Sequence, residues 1–144
     1  MSVIDKALAA ITPAPSEEKR AEATAVARQA AAPGDWLSAV LDHHEAIRSA
    51  FRSGREAVAG EDRLAARDAL APVLSGHSVA EELVLYPAMA RPGHKGQAGL
   101  AYGEQTTAKM QMAELETIAP ESQAWLDKWE HVEGAVLSHM YEEE

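Results

Sequence analysis

Two histidine–glutamate pairs dominate the chemistry available to this chain. In the stretch HSVAEELVLYPAM, His77 and Glu81 lie four residues apart, as do His139 and Glu143 in SHMYEEE. On a helix that spacing stacks the two side chains on one face. Around His77 and Glu81 the same face runs through Leu70, Val73 and Leu74 before them and Val84, Leu85 and Ala88 after them. An imidazole and a carboxylate would thus enter an apolar interior together. An ionised carboxylate is costly to bury unless it is paired or bound to a cation, so the arrangement asks for a partner. A surface pair at i, i+4 is the plainer reading, and its repetition at the two ends of apolar helices argues against it. The absence of cysteine excludes disulfides, thiolate ligands and iron–sulfur clusters, so a metal held here is held by nitrogen and oxygen.

The elements that must carry these residues follow from the chain's punctuation. Residues 2–11 predict a short helix ended by Thr12-Pro-Ala-Pro15, and Ser16 with Glu17 and Glu18 caps a second, Ala-rich one. That segment either covers one end of the fold or mediates self-association. Pro33-Gly34 breaks the chain and Asp35 caps a long helix to about Ser53-Gly54, with Leu37, Val40, Leu41, His44, Ile47 and Phe51 in one stripe. His44 is inward by this pattern, and His43 sits a further step round. A second long helix opens at Glu61 or Asp62, carries His77 and Glu81, and stops at Pro87 and Pro92-Gly93, before a loop with His94. A third, from about Gln97 to Ile118, lines up Ala101, Gln105, Ala108, Met112 and Leu115. A fourth, from Glu121 onward, lines up Trp125, Trp129, Val132, Val136, His139 and Glu143. Gln105 is the one polar residue in its apolar stripe.

His44 precedes His77 by 33 residues and Gln105 precedes His139 by 34, so two helix hairpins share one spacing. Four long helices with short connections predict an all-α fold, an antiparallel up-down four-helix bundle with a short N-terminal helical extension. The expected organisation is an extension over 1–34 and the bundle over 35–144. At 144 residues and 47% apolar content one domain is expected, with a core of Ala, Leu, Val and Met. A net charge of −10 with scattered basic residues disfavours nucleic acid and anionic membrane as partners. The N-terminus offers no stretch near the roughly 20 apolar residues of a span, which makes a cytoplasmic protein the expectation.

With an inward histidine in DHHEAIR, a His-x-x-x-Glu-Glu phrase ending in Tyr-Pro and a second such phrase near the C-terminus, residues 36–144 resemble the hemerythrin-like (HHE cation-binding) family. The resemblance implies a four-helix bundle around a non-haem di-iron centre that binds or senses dioxygen, nitric oxide or peroxide. His44, His77 and His139 are then nitrogen ligands, and Glu81 and Glu143 bridging or chelating carboxylates. Zinc or manganese is compatible with the same donors. Helix three of that family normally supplies a histidine, often just after an acid, where this chain has Glu104-Gln105. Gln105 either coordinates weakly or hydrogen-bonds a ligand, and its substitution opens a coordination position. Two other functions fit the residues: a redox enzyme of peroxidase or ferroxidase type, and a zinc-bound or metal-free helical interaction module, with homo-oligomers formed through the N-terminal helices. Glu82 and Glu144 are expected as surface acids or as carboxylates that orient a ligand histidine. Tyr86 and Tyr141 fall near the site, with core packing the expected role. His131 and His94 are expected at the surface, and Met110, Met112, Trp125 and Trp129 in the core. Glu143, close to the chain end, lies where helices fray.

Overall fold

In a computed structural model, residues 15–89 and 95–144 are described, and they are helical throughout apart from caps and connections. The expected helix over 2–11 and the His94 loop lie outside them. Helix α1 spans Glu17–Ala30, α2 Trp36–Glu56, α3 Gly60–Ala80, and a π-turn over Glu81–Leu85 leads into α4, Tyr86–Met89; α5 spans Lys95–Leu115 and α6 Gln123–Glu143.

The starts follow from local chemistry. Asp35 Oδ1 accepts from the Ser38 amide at 2.7 Å and its Oδ2 from the Ala32 amide at 2.7 Å, so one side chain caps α2 and closes the turn after α1. Those two bonds hold the Asp35 carboxyl below its usual range. The turn passes through Gly34 at φ +79°, a left-handed conformation that glycine adopts without steric cost. Ser16 and Ser122 cap α1 and α6 in the same way. The α6 cap falls one residue beyond the Glu121 start read from sequence, and α5 begins at Lys95 rather than Gln97.

Helix α2 packs along α3, α5 along α6, and α2 against α6, which encloses one core. At one end this core is aromatic. Trp125 and Trp129 stack with ring centroids 4.9 Å apart, and Phe51 meets Trp129 edge-on at 5.2 Å. The Trp129 indole donates to the Phe51 carbonyl at 3.0 Å. Gly54 lies against the same indole so closely that any Cβ there would collide with it. Arg63 ties the two connections at this end, donating to the carbonyls of Ala57 and Pro120. Full burial of each large apolar side chain contributes roughly 1.5–3 kcal/mol, which anchors the helices firmly enough to carry buried polar groups farther along. Helix α1 lies over α2 and α6 outside this core, with Arg28 paired to Asp42 at 2.7 Å. Of the expected core methionines, Met112 packs against the core while Met110 is exposed, because Met110 sits on the outer side of α5.

Candidate metal centre

Beyond the aromatic layer the inward stripes of α2, α3, α5 and α6 turn polar at one level. His44, His77, Glu81, Gln105 and His139 are all buried there, and the Glu143 side chain is nearly so. Helix α6 runs through Glu143.

The donors fall into two groups. His44, His77, Glu81 and Glu143 each offer one ligand atom within 4.8 Å of the other three. His77 Nε2 is 2.7 Å from Glu81 Oε1, and His44 Nε2 is 3.4 Å from Glu143 Oε2. The second group uses the other oxygen of each carboxylate. His139 Nε2 lies 3.1 Å from Glu143 Oε1 and 3.7 Å from Glu81 Oε2, so it stands beside the first group rather than in it. Gln105 donates its amide in a short bond to Glu81 Oε2. Each carboxylate thus faces imidazoles through both its oxygens.

A hydrogen-bonding account of the first group fails. His44 Nε2, His77 Nε2, Glu81 Oε1 and Glu143 Oε2 are all buried and, among the described residues, none has a hydrogen-bond partner, although His77 and Glu81 approach to 2.7 Å. Four buried polar atoms this close together, each unsatisfied, are costly without a cation between them. Two imidazoles and two carboxylates are donors suited to a first-row divalent or trivalent metal. The residues therefore fit a metal ion.

Outer contacts orient the imidazoles. His44 Nδ1 is 2.7 Å from Glu144 Oε1, which leaves Nε2 facing the other donors. Glu144 is itself held by Arg48 at 2.7 Å and by the Thr24 hydroxyl of α1 at 2.5 Å. His139 Nδ1 is 2.8 Å from Glu104 Oε2. Burial works against charge at these groups, and the partners win. The His139 imidazolium loses hydration but faces the carboxylates of Glu143, Glu81 and Glu104, acceptors that favour its protonated form and push its pKa up to about 11. His44 is raised for the same reasons, with Glu143 and Glu144 as its partners. Burial raises Glu81, but the His139 and His77 imidazoles beside it outweigh that and leave it far below the carboxylate range. Glu144 is brought down to about 2 by His44, Thr24 and Arg48 against the same opposing burial.

The model of the hemerythrin HHE cation binding domain matches residues 35–144. The chain belongs to this family. A search of curated proteins and a search of solved structures each give no match. The hemerythrin HHE match begins at the α2 cap, so α1 lies outside it while Thr24 still reaches the acid behind His44.

Within this hemerythrin HHE domain, all six residues singled out from spacing, His44, His77, Glu81, Gln105, His139 and Glu143, meet at one level. His43 does not join them; its ring is exposed and lies edge-on to His77 at 6.0 Å. His131 is hydrogen-bonded to Gln111, and Glu82 is paired with Lys109 at 2.6 Å on the surface. Three participants had no role assigned from sequence: Glu104, Arg48 and Thr24. Their contacts join helices far apart in the chain, and no local period signals them. Tyr86 packs in the core beside Ala101 and Leu85, as expected, and also brings its hydroxyl among the donors. An extra residue in the π-turn is the cause: the Tyr86 amide bonds to the Glu81 carbonyl five residues back, which sets Tyr86 above Glu81. The inward line therefore passes from Glu81 to Tyr86 and skips Val84, which is 69% exposed. Pro87, lacking an amide proton, interrupts the normal ladder at the same place.

Proposed function

We propose that this protein holds a non-haem di-iron centre that binds dioxygen, nitric oxide or peroxide, with His44, His77 and His139 as nitrogen ligands and Glu81 and Glu143 as carboxylates shared between two ions. The observation that carries this reading is the division of each carboxylate, one oxygen toward His44 and His77 and the other toward His139. A shared carboxylate is how bundle proteins hold two ions with few residues. The opposed pairing of His44 with Glu143 and of Phe51 with Trp129 supports an up-down antiparallel arrangement of 35–144, with 1–34 as an extension.

Iron at this position supplies Lewis acidity and one-electron chemistry to a small ligand. The chain's own residues do the rest. Glu144 and Glu104 hold His44 and His139 with their Nε2 atoms inward, and Gln105 steadies Glu81. A cavity of about 460 Å³ lined by Trp36, Val40, His43, Val84 and Leu85 reaches His77 and Glu81. Its apolar wall favours small uncharged ligands over ions.

The test is expression in iron-replete medium, metal analysis and a visible spectrum with azide, nitric oxide or peroxide added. Two irons per chain and a ligand-shifted band are expected. Protein without stoichiometric metal refutes the reading.

A further inference from the structure

The Tyr86 hydroxyl sits among the donors of the second ion. It is 3.0 Å from His139 Nε2, 3.1 Å from Glu81 Oε2 and 3.4 Å from Glu143 Oε1. His139 Nε2 is in turn 3.1 Å from Glu143 Oε1 and 3.7 Å from Glu81 Oε2. Donors held about 2.0–2.2 Å from one ion stand about 2.8–3.6 Å apart, for right-angled to tetrahedral geometry. Four of these five distances fall in that span, and the His139–Glu81 distance of 3.7 Å lies just beyond it. A phenol also has a single proton, and two carboxylate oxygens and an imidazole nitrogen face it here.

We propose that Tyr86 is a fourth protein donor to the second ion, coordinating as a phenolate alongside His139, Glu81 and Glu143. The proposal rests on the two-ion reading above. It explains why α5 can present Gln105, whose amide is engaged with Glu81, where a stronger donor would otherwise be needed. A phenolate is a hard anionic oxygen, so the position favours ferric iron over softer ions. On coordination the Tyr86 O–H bond breaks, its proton leaves to solvent and its oxygen lone pair bonds the ion, with no change of oxidation state. The side chain is fixed for this role: it is 1% exposed, its ring meets Tyr102 edge-on at 4.8 Å, and the π-turn sets it above Glu81.

The test is resonance Raman and visible absorption of the ferric-loaded full chain. Tyrosinate ring modes enhanced within a visible phenolate-to-iron charge-transfer band are expected, and Tyr86→Phe removes both and lowers iron from two toward one per chain. The chain has three tyrosines, so a Tyr102→Phe, Tyr141→Phe double variant leaves Tyr86 alone and retains the modes without any change at the site. Two bound irons with no tyrosinate modes in the wild type overturn the role of Tyr86 and leave the di-iron reading standing. Fewer than two irons in the wild type overturns both. Loss of the modes in the double variant assigns them to another tyrosine and also overturns the proposal.

Discussion

Glu144→Gln isolates the electrostatic part of the support behind His44. The Glu144 side chain is 1% exposed and meets His44 Nδ1, Arg48 and Thr24 at 2.5–2.7 Å. Glutamine keeps the shape and one acceptor but removes the charge that makes the imidazole a better donor and balances Arg48. Loss of an outer carboxylate costs about 10–100-fold in metal affinity, which is about 1.4–2.8 kcal/mol. The effect should fall at the upper part of that range because so little water reaches the pair. Glu104 supplies the internal comparison: it contacts His139 Nδ1 at 2.8 Å, but its side chain is 42% exposed, so solvent screens it and Glu104→Gln should cost less. The assay is chelator competition with Zn²⁺ at fixed pH, with a melting curve on each variant to show that the fold is kept. A Glu144→Gln affinity within twofold of wild type, or a larger loss in Glu104→Gln, refutes the reasoning.

Metal should stabilise the chain by linkage: at 100 times Kd the gain is about 2.7 kcal/mol, which for a domain of this size raises Tm by roughly 5–11 °C. Differential scanning fluorimetry with Zn²⁺ reads this, and the same shift in His77→Ala would show that the ion binds elsewhere. Gly54→Ala drives a methyl into the Trp129 indole, which its bond to the Phe51 carbonyl holds in place, so a loss of about 1–3 kcal/mol is expected in chemical denaturation. In the metal-free chain His139 has its pKa raised from 6.5 to about 11. Its protonation therefore stabilises that chain fully below pH 6.5, and the stabilisation is lost as pH rises through about 11. A metal that takes His139 Nε2 must displace this proton, so affinity should climb at least about tenfold per pH unit between 7 and 9, and more steeply where the Tyr86 proton leaves with it; a flat profile from chelator competition excludes His139 as a ligand.

The residues legible in sequence share one property: each sits on an apolar stripe of constant helical period. His44 between Leu41 and Ile47, and His139 between Val136 and Glu143, are inward because their neighbours at helical spacing must be. Gln105 was legible as an anomaly in the same way, though its amide bond to Glu81 was not. Thr24 and Glu104 lie outside any apolar stripe, and only the packing of α1 on α6 and of α5 on α6 shows what they touch. Met110 departs from the expected core because two residues, about 200° of helix rotation, separate it from Met112, which takes the inward place.

Tyr86 escapes for a different reason, and it bears on how the site is built. A constant period carries the eye from Glu81 to Val84 and Leu85, and that period is what the π-turn breaks. An uninterrupted α-helix would place residue 86 well round from residue 81 and its hydroxyl away from His139. The π-turn sacrifices regular hydrogen bonding over Glu81–Leu85 and exposes Val84, and such turns persist where a function offsets their cost. The compensation here is one hydroxyl placed within 3.0–3.4 Å of three buried donor atoms. Deleting one residue within 82–85 would restore a regular helix and leave the tyrosine four residues after Glu81, still on its face, so its contacts with the donors should persist; loss of the tyrosinate modes in that variant would refute this account of the turn.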